Sequence, residues 1–182
     1  NKLLFNNLIL NKDYQIKSIK LINLDFTNNN KIKNKVIIKK KSNNYQLNGK
    51  IFDISLLLES ALDDEKDNDL SKIFNNLNTY ISFKINKTFL DKQSFVNNLN
   101  GSLTFKNNKI SKLNLESEFP NKNRLTLSIH TNDRGEKITT LFSDYPKPLV
   151  KRYKFIKGFD EGILNFQSIK KNNKSKSVLV ID

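Results

Sequence analysis

His130 is the only histidine of this 182-residue chain, so it is the first side chain to consider for catalysis or metal binding. It follows LTLSI and takes the polar phase of an alternating apolar pattern. A catalytic histidine needs a nucleophile or an acid that a third group holds in place, and no local pattern supplies one. The sequence therefore predicts an ordinary histidine on a strand surface and no catalytic residue.

The acidic run DDEKDND, from Asp63 to Asp69, has a composition that could serve calcium binding. A calcium-binding helix-loop-helix site requires a glycine in mid-loop and a glutamate that closes the loop at fixed spacing, and both are missing. The chain has no cysteine, which excludes disulfides, thiolate nucleophiles and cysteine-based zinc sites. We expect a solvated acidic loop, no metal, no cofactor and no enzymatic activity.

Gly158 and Gly162, in KGFDEGIL, are the glycines to test for a phosphate-binding loop. They lack a following helix and the Lys-Ser/Thr pair that such a loop requires. A turn that leads into a strand explains them more simply, because glycine readily adopts positive φ.

The net charge of +14 raises the question of nucleic-acid binding. The chain has 29 lysines but only 3 arginines, together with 29 asparagines and 19 isoleucines, the composition that an AT-rich genome favours. Arginine pairs bidentately with phosphate and guanine, and selection for such contacts should enrich it. We therefore expect no specific nucleic-acid partner. A basic nucleic-acid-binding domain remains the second alternative.

Alternation of apolar and polar residues with a period of two dominates the chain and predicts strands. The clearest hairpin is GSLTFKNNKISKLNLES, which turns at Asn107–Asn108, and a second hairpin turns at 133–135. Two last strands are predicted on either side of a polar loop from Lys170 to Lys176. The positions predicted to face either a lipid groove or a core are Ile22, Leu24, Phe26, Ile81, Phe83, Ile85, Leu103, Phe105, Leu113, Leu115, Leu125, Leu127, Ile129, Leu164 and Phe166.

Three stretches break this alternation and predict short helical segments. Residues 54–62 are too densely apolar for a half-exposed strand, with Asp53 or Ser55 as the N-cap, and residues 69–77 predict a second helical turn. The third is DYPKPLVKRYKF, residues 144–155, where Pro146 lies near the first turn. The residues assigned to these helical joints are Asp53, Asp144 (as N-cap), Pro146, Leu149, Tyr153, Gly158 and Gly162.

Together these elements predict a mainly β fold. We expect an extended, curved antiparallel sheet that forms a groove, with two or three short helices covering or interrupting it. The chain has no methionine, and SVLVID at its end looks like a strand cut off in mid-sheet. We therefore expect residues 1–182 to be one β-rich segment of a longer chain, with 1–79 and 80–182 as candidate sub-units.

The stretch LFSDYPKPLVKRYKFIKGFDEGILNFQS resembles the C-terminal region of AsmA-like proteins, the bacterial family that includes large TamB-like and YhdP-like envelope proteins. The resemblance lies in a strand ending in Ser143–Asp144, a short helix with Leu149–Val150, and Gly158 and Gly162 before an alternating strand. LNGSLTFKNNKISKLNLESEF is similar to the hairpin that precedes this joint in the family. LNGKIFDISLLLESAL looks like its strand-to-helix joint, so the resemblance covers residues 45–182.

This resemblance implies a non-catalytic β-groove in a periplasmic protein of the cell envelope, anchored in the inner membrane by a segment outside this piece. Its implied role is phospholipid transport between the inner and outer membranes, or outer-membrane biogenesis and homeostasis. Phospholipid acyl chains would be the partner, because shielding them requires only continuous apolar surface. The first alternative is a β-rich interaction or scaffold module without lipid cargo, in which the same apolar face is merely a packed core.

Overall fold

A computed structural model describes residues 1–55, 76–149, 161–172 and 174–182. The regular structure of this part of the chain is almost entirely strand, so the prediction of a mainly β fold is confirmed. The strands are β1 (Lys2–Asn6), β2 (Ile9–Leu10), β3 (Ile16–Ser18), β4 (Leu21–Thr27), β5 (Lys33–Lys41), β6 (Asn44–Asp53), β7 (Thr79–Phe89), β8 (Phe95–Lys106), β9 (Lys109–Glu118), β10 (Arg124–Thr131), β11 (Lys137–Ser143), β12 (Leu164–Lys171) and β13 (Lys174–Ile181).

Eleven of these strands form one open sheet in the order β1-β4-β5-β6-β7-β8-β9-β10-β11-β12-β13. β1 and β13 are its two edges. β2 and β3 pair only with each other, in a small second sheet between β1 and β4 along the chain. From β4 onward, each strand therefore lies beside its neighbours in sequence.

The prediction that the sheet is antiparallel throughout is wrong at one pair, because β6 and β7 run parallel, with Leu47 opposite Phe83. All other neighbours in the large sheet are antiparallel. A parallel pair cannot be joined by a tight turn and requires a crossover of about a dozen residues or more. Residues 54–78 form that connection, and only 54–55 and 76–78 of it are described.

Both predicted hairpins are confirmed, as the pairs β8–β9 and β10–β11. Asn107 and Asn108 have φ angles of 50° and 63°, the left-handed conformation at both central residues that a two-residue turn of type I′ requires. The predicted loop from Lys170 to Lys176 is wrong in length. β12 extends to Lys171 and β13 begins at Lys174, since polar side chains are compatible with paired strands at a solvent-facing edge.

The main hydrophobic core lies on one face of the sheet, around β8 to β12. Leu127 and Ile129, in the middle of β10, are 1% and 0% exposed. Leu149 joins this cluster from the segment that follows β11. The cluster comprises Leu90, Val96, Leu113, Phe119, Leu125, Leu127, Ile129, Leu141, Leu149 and Leu164.

In the described chain, helical backbone is confined to residue 55 and residues 147–149. The helical turn at residues 147–149 begins directly after Pro146, and proline is favoured near the start of a helix. The side chain of Pro146 is fully buried. The greater part of the three predicted helical segments lies outside the described residues, as do Tyr153 and Gly158. No helix in the described ranges is long and apolar enough to cross a membrane.

Candidate apolar binding face

One row of apolar residues crosses the whole sheet, with one residue from each strand. The strand registers place each member directly opposite the next, so that all of them lie on the same face. At about 4.8 Å between neighbouring strands, the row is about 48 Å long. We call it the apolar row: Phe5, Ile22, Ile38, Leu47, Phe83, Gly101, Leu115, Leu127, Leu141, Phe166 and Leu179.

The burial of the apolar row changes along its length. Phe5, on the edge strand β1, is 45% exposed, whereas Leu127 is almost completely buried. Ile22, Ile38 and Leu47, between these two places, are half-buried. The row is therefore a packed core at β10 and β11 and an accessible apolar surface towards β1.

The opposite face of the sheet is mainly polar. The row that alternates with the apolar row contains asparagine, threonine and charged residues in most strands, with apolar residues chiefly near the two edges. Its members are Leu4, Asn23, Ile37, Asn48, Lys84, Asn100, Glu116, Thr126, Phe142, Asn165 and Val180. The sheet thus separates a face suited to apolar contacts from one suited to water.

Gly101 is the one member of the apolar row without a side chain. A Cβ atom built on it would lie 2.6 Å from Cζ of Phe83 and would also clash with the backbone carbonyl oxygen of Asn114. The missing side chain therefore leaves room for the ring of Phe83 to lie over the backbone of β8.

The sequence-predicted groove or core residues lie on the same face as the apolar row. Five members of the apolar row were among them: Ile22, Phe83, Leu115, Leu127 and Phe166. Of the predicted positions, the half-buried ones are Ile22, Leu24, Phe26, Ile81, Phe83, Leu103, Leu115 and Phe166, and the buried ones are Ile85, Phe105, Leu113, Leu125, Leu127, Ile129 and Leu164.

The joint after β11 is held by side-chain hydrogen bonds of Ser143 and Asp144. Oδ2 of Asp144 accepts hydrogen bonds from the backbone N–H and from Nε of Arg124, at 3.2 and 3.4 Å, while most of the helix that Asp144 was predicted to cap lies outside the described residues. The hydroxyl of Ser143 accepts a hydrogen bond from the backbone N–H of Tyr145. Asp144 therefore ties the end of β11 to the start of β10, since the registers bring these two ends together.

Asp53, at the end of β6, is the centre of a polar network. Its Oδ2 accepts hydrogen bonds from the side chains of Asn28 (2.7 Å) and Asn30 (2.9 Å), and its Oδ1 accepts one from the backbone N–H of Ser55. The last bond has the geometry of an N-cap, and the segment that Asp53 was predicted to cap lies, after residue 55, outside the described residues. Partial burial by itself raises the pKa of Asp53, but the hydrogen bonds from Asn30, Ser55 and Asn28 together outweigh it and hold the pKa below its ordinary value.

His130 and the carboxyl groups with a displaced pKa are the polar groups of the described chain to consider for catalysis or metal binding. His130 is exposed on β10, where Lys112 and Ile138 are its cross-strand neighbours. The carboxyl groups with a displaced pKa in these ranges, Asp53, Glu118 and Glu136, all have it lowered, whereas a general acid needs it raised. No group of three metal-ligating side chains occurs among the described residues. The acidic run 63–69 lies outside them.

Residues that sequence reasoning missed complete the apolar row at both ends. Phe5 belongs to β1, and Leu179 belongs to the last strand, where the alternation was predicted but not assigned to a face. Ile38 and Leu47 were also not assigned, because lysine and asparagine surround them. The signal that could have identified them is the alternation itself, once the pairing of β4, β5 and β6 is known.

Comparison of the chain with protein-family models, with curated proteins and with solved structures finds no match in any of the three.

Proposed function

We propose that this chain is a non-catalytic section of an AsmA-like envelope protein, in which the apolar sheet face shields phospholipid acyl chains during transport between the inner and outer membranes. The observation that carries the proposal is the apolar row, which is continuous over eleven strands and reaches both edges of the sheet. A conduit for acyl chains needs apolar surface that continues from strand to strand, and no reactive group.

The accessible part of the row favours this role over an ordinary core. From Phe5 to Leu47 the side chains of the row are half-buried or exposed. The opposite face of the same strands carries polar residues such as Asn23 and Asn48. Exposed apolar surface that is contiguous over several strands is unfavourable in water and marks a place where an apolar ligand or partner binds. We place the lipid-bearing surface at β1 to β6, in a periplasmic protein with its membrane anchor outside residues 1–182.

A second candidate function, a scaffold module without lipid cargo, is favoured by one specific observation. Leu127 and Ile129 are completely buried, so the part of the face around β10 is filled by protein. A scaffold would bury the remaining apolar row against another protein instead of lipid. Nucleic-acid binding has less support. Successive bases stack on neighbouring aromatic side chains, whereas the cross-strand neighbour of the exposed Tyr80 on β8 is Thr104.

The test is mass spectrometry of lipids extracted from the chain after purification from membranes in mild detergent. Replacing Phe105 or Leu127 with aspartate would not report on lipid binding. Both side chains are buried, and a carboxylate at either position would unfold the protein. The informative variants are Leu47→Gln and Phe5→Gln, at half-buried and exposed positions of the apolar row within β1 to β6. Their matched controls are Ile37→Gln and Leu4→Gln, on the opposite face of β5 and β1.

We expect phospholipid to co-purify with the unchanged chain and with both controls, and to be reduced in the two row variants. A folded chain that carries no lipid from such membranes would exclude the conduit and leave the scaffold function. Equal lipid in row variants and controls would show that the lipid adheres without using the apolar row.

A further inference from the structure

A cavity of about 470 Å³ lies at one end of the apolar face. Its floor is formed by side chains of β4, β5, β6 and β7, and residues 16–19 and 76–79 line the rest of it. The side chain of Ile19 is buried here, only 3% exposed. The apolar lining consists of Ile16, Ile19, Ile22, Ile38, Leu77 and Ile81, together with Tyr45.

The rim of this cavity is cationic. Lys17 and Lys40 line it and are exposed, and Nζ of Lys40 donates a hydrogen bond to Oγ of Ser18 at 3.0 Å, which holds the ammonium group at the entrance. The described lining contains no aspartate or glutamate. The electrostatic environment of the entrance therefore favours an anion, while the interior favours hydrocarbon.

We propose that this cavity binds a single-chain amphiphile with an anionic head group, its alkyl chain among the isoleucines and its head group at Lys17 and Lys40. The volume lies in the lower part of the range of about 300–1,000 Å³ that small-molecule sites occupy, which suits one chain. Ile22 and Ile38 belong both to the cavity and to the apolar row, so this inference rests on the proposed lipid function and names a ligand class for one end of it.

Two sources supply this chemistry, a free fatty acid and a lysophospholipid. Both ligands present one alkyl chain and an anionic group, and the shape of the cavity lining does not distinguish one from the other. Equilibrium binding to the whole chain 1–182 should therefore use sodium laurate and a lauroyl lysophosphatidylglycerol, each below its micellar concentration. Dodecyltrimethylammonium, with the same chain length and the opposite charge, is the control probe.

The lysine variants test the head-group assignment. We expect both anionic probes to bind more tightly than the cationic one. In the double variant Lys17→Ala, Lys40→Ala, laurate affinity should fall about two- to fivefold for each ammonium removed, the range for exposed ion pairs, and the preference for anions should disappear. Both side chains are exposed, so this variant should fold normally.

A second pair of variants tests the position of the alkyl chain. Ile38→Asn introduces an amide into the cavity and should weaken laurate binding about tenfold, because the amide loses water on ligand binding without gaining a partner. Ile37→Asn, on the opposite face of the same strand, should leave binding unchanged. If Ile38→Asn does not fold, the lysine variant decides alone.

Absence of laurate and lysophospholipid binding, or an anion preference that survives the lysine variant, would overturn the proposal. These outcomes are distinguishable from a failure of the conduit, which is measured by co-purified diacyl phospholipid and by Leu47→Gln and Phe5→Gln. Phospholipid on the apolar row without laurate in the cavity would refute this inference alone.

Discussion

Replacing Leu127 with Ala removes a side chain on β10 that is 1% exposed and packed in the hydrophobic core. A leucine-to-alanine change at such a position loses the transfer free energy of the side chain and leaves a cavity, which together cost about 3–4 kcal/mol. Leu47→Ala, on the same apolar row but half-buried, should cost only about 1 kcal/mol, since part of the side chain already contacts water.

The assay is thermal unfolding of the two variants and the unchanged chain, followed by circular dichroism. For a domain of this size, a loss of 1 kcal/mol lowers Tm by about 2–4 °C. Leu127→Ala should therefore lower Tm by about 10 °C and Leu47→Ala by about 3 °C. Urea unfolding with an unchanged m-value would show that the difference reflects stability and not a change in the unfolded state.

Equal losses for the two variants would refute this reasoning. A large loss at both positions would mean that the row is sealed along its whole length, and that no apolar surface remains for an acyl chain. A small loss of unfolding free energy at both positions would mean that the core around Leu127 is packed less tightly than its burial indicates.

Three further predictions concern the polar joints and the glycine of the row. Gly101→Ala should destabilise the chain by about 1–3 kcal/mol in urea unfolding, because the new Cβ would displace Phe83 and the β9 backbone; a neutral effect would contradict the observed packing. Asp53→Ala should cost about 1–3 kcal/mol at pH 7 through its lost hydrogen bonds. The pKa of Asp53 in the folded chain lies below its ordinary value of 3.8. The stabilisation by its carboxylate is therefore complete above pH 3.8 and should be lost as the pH falls through the folded pKa. A stability difference between variant and unchanged chain that does not depend on pH would argue against a stabilising role of this carboxylate. Arg124→Ala should change stability by less than about 1 kcal/mol, since its ion pair with Asp144 is exposed, and a larger loss in thermal unfolding would indicate a role beyond that pair.

Most of the strand pattern could be predicted from local sequence. Leu125, Leu127 and Ile129 alternate with polar residues, and a period of two places such residues on one face of any strand. The hairpin at Asn107 was also predictable, because few residues other than asparagine and glycine tolerate the left-handed conformation at that turn. The role of Asp144 was not, since its partner Arg124 lies 20 residues away in sequence.

The sequence by itself determined that this protein is β-rich, which side chains share a face within each strand, and where the two hairpins turn. Only the tertiary structure decided that β6 and β7 pair in parallel, and that the separate apolar faces align into one row from Phe5 to Leu179. It also decided that Leu127 is buried while Ile22 is accessible, although both alternate in the same way. The physical reason is that alternation is a property of each strand's own backbone, whereas pairing, alignment and burial depend on contacts between residues distant in sequence.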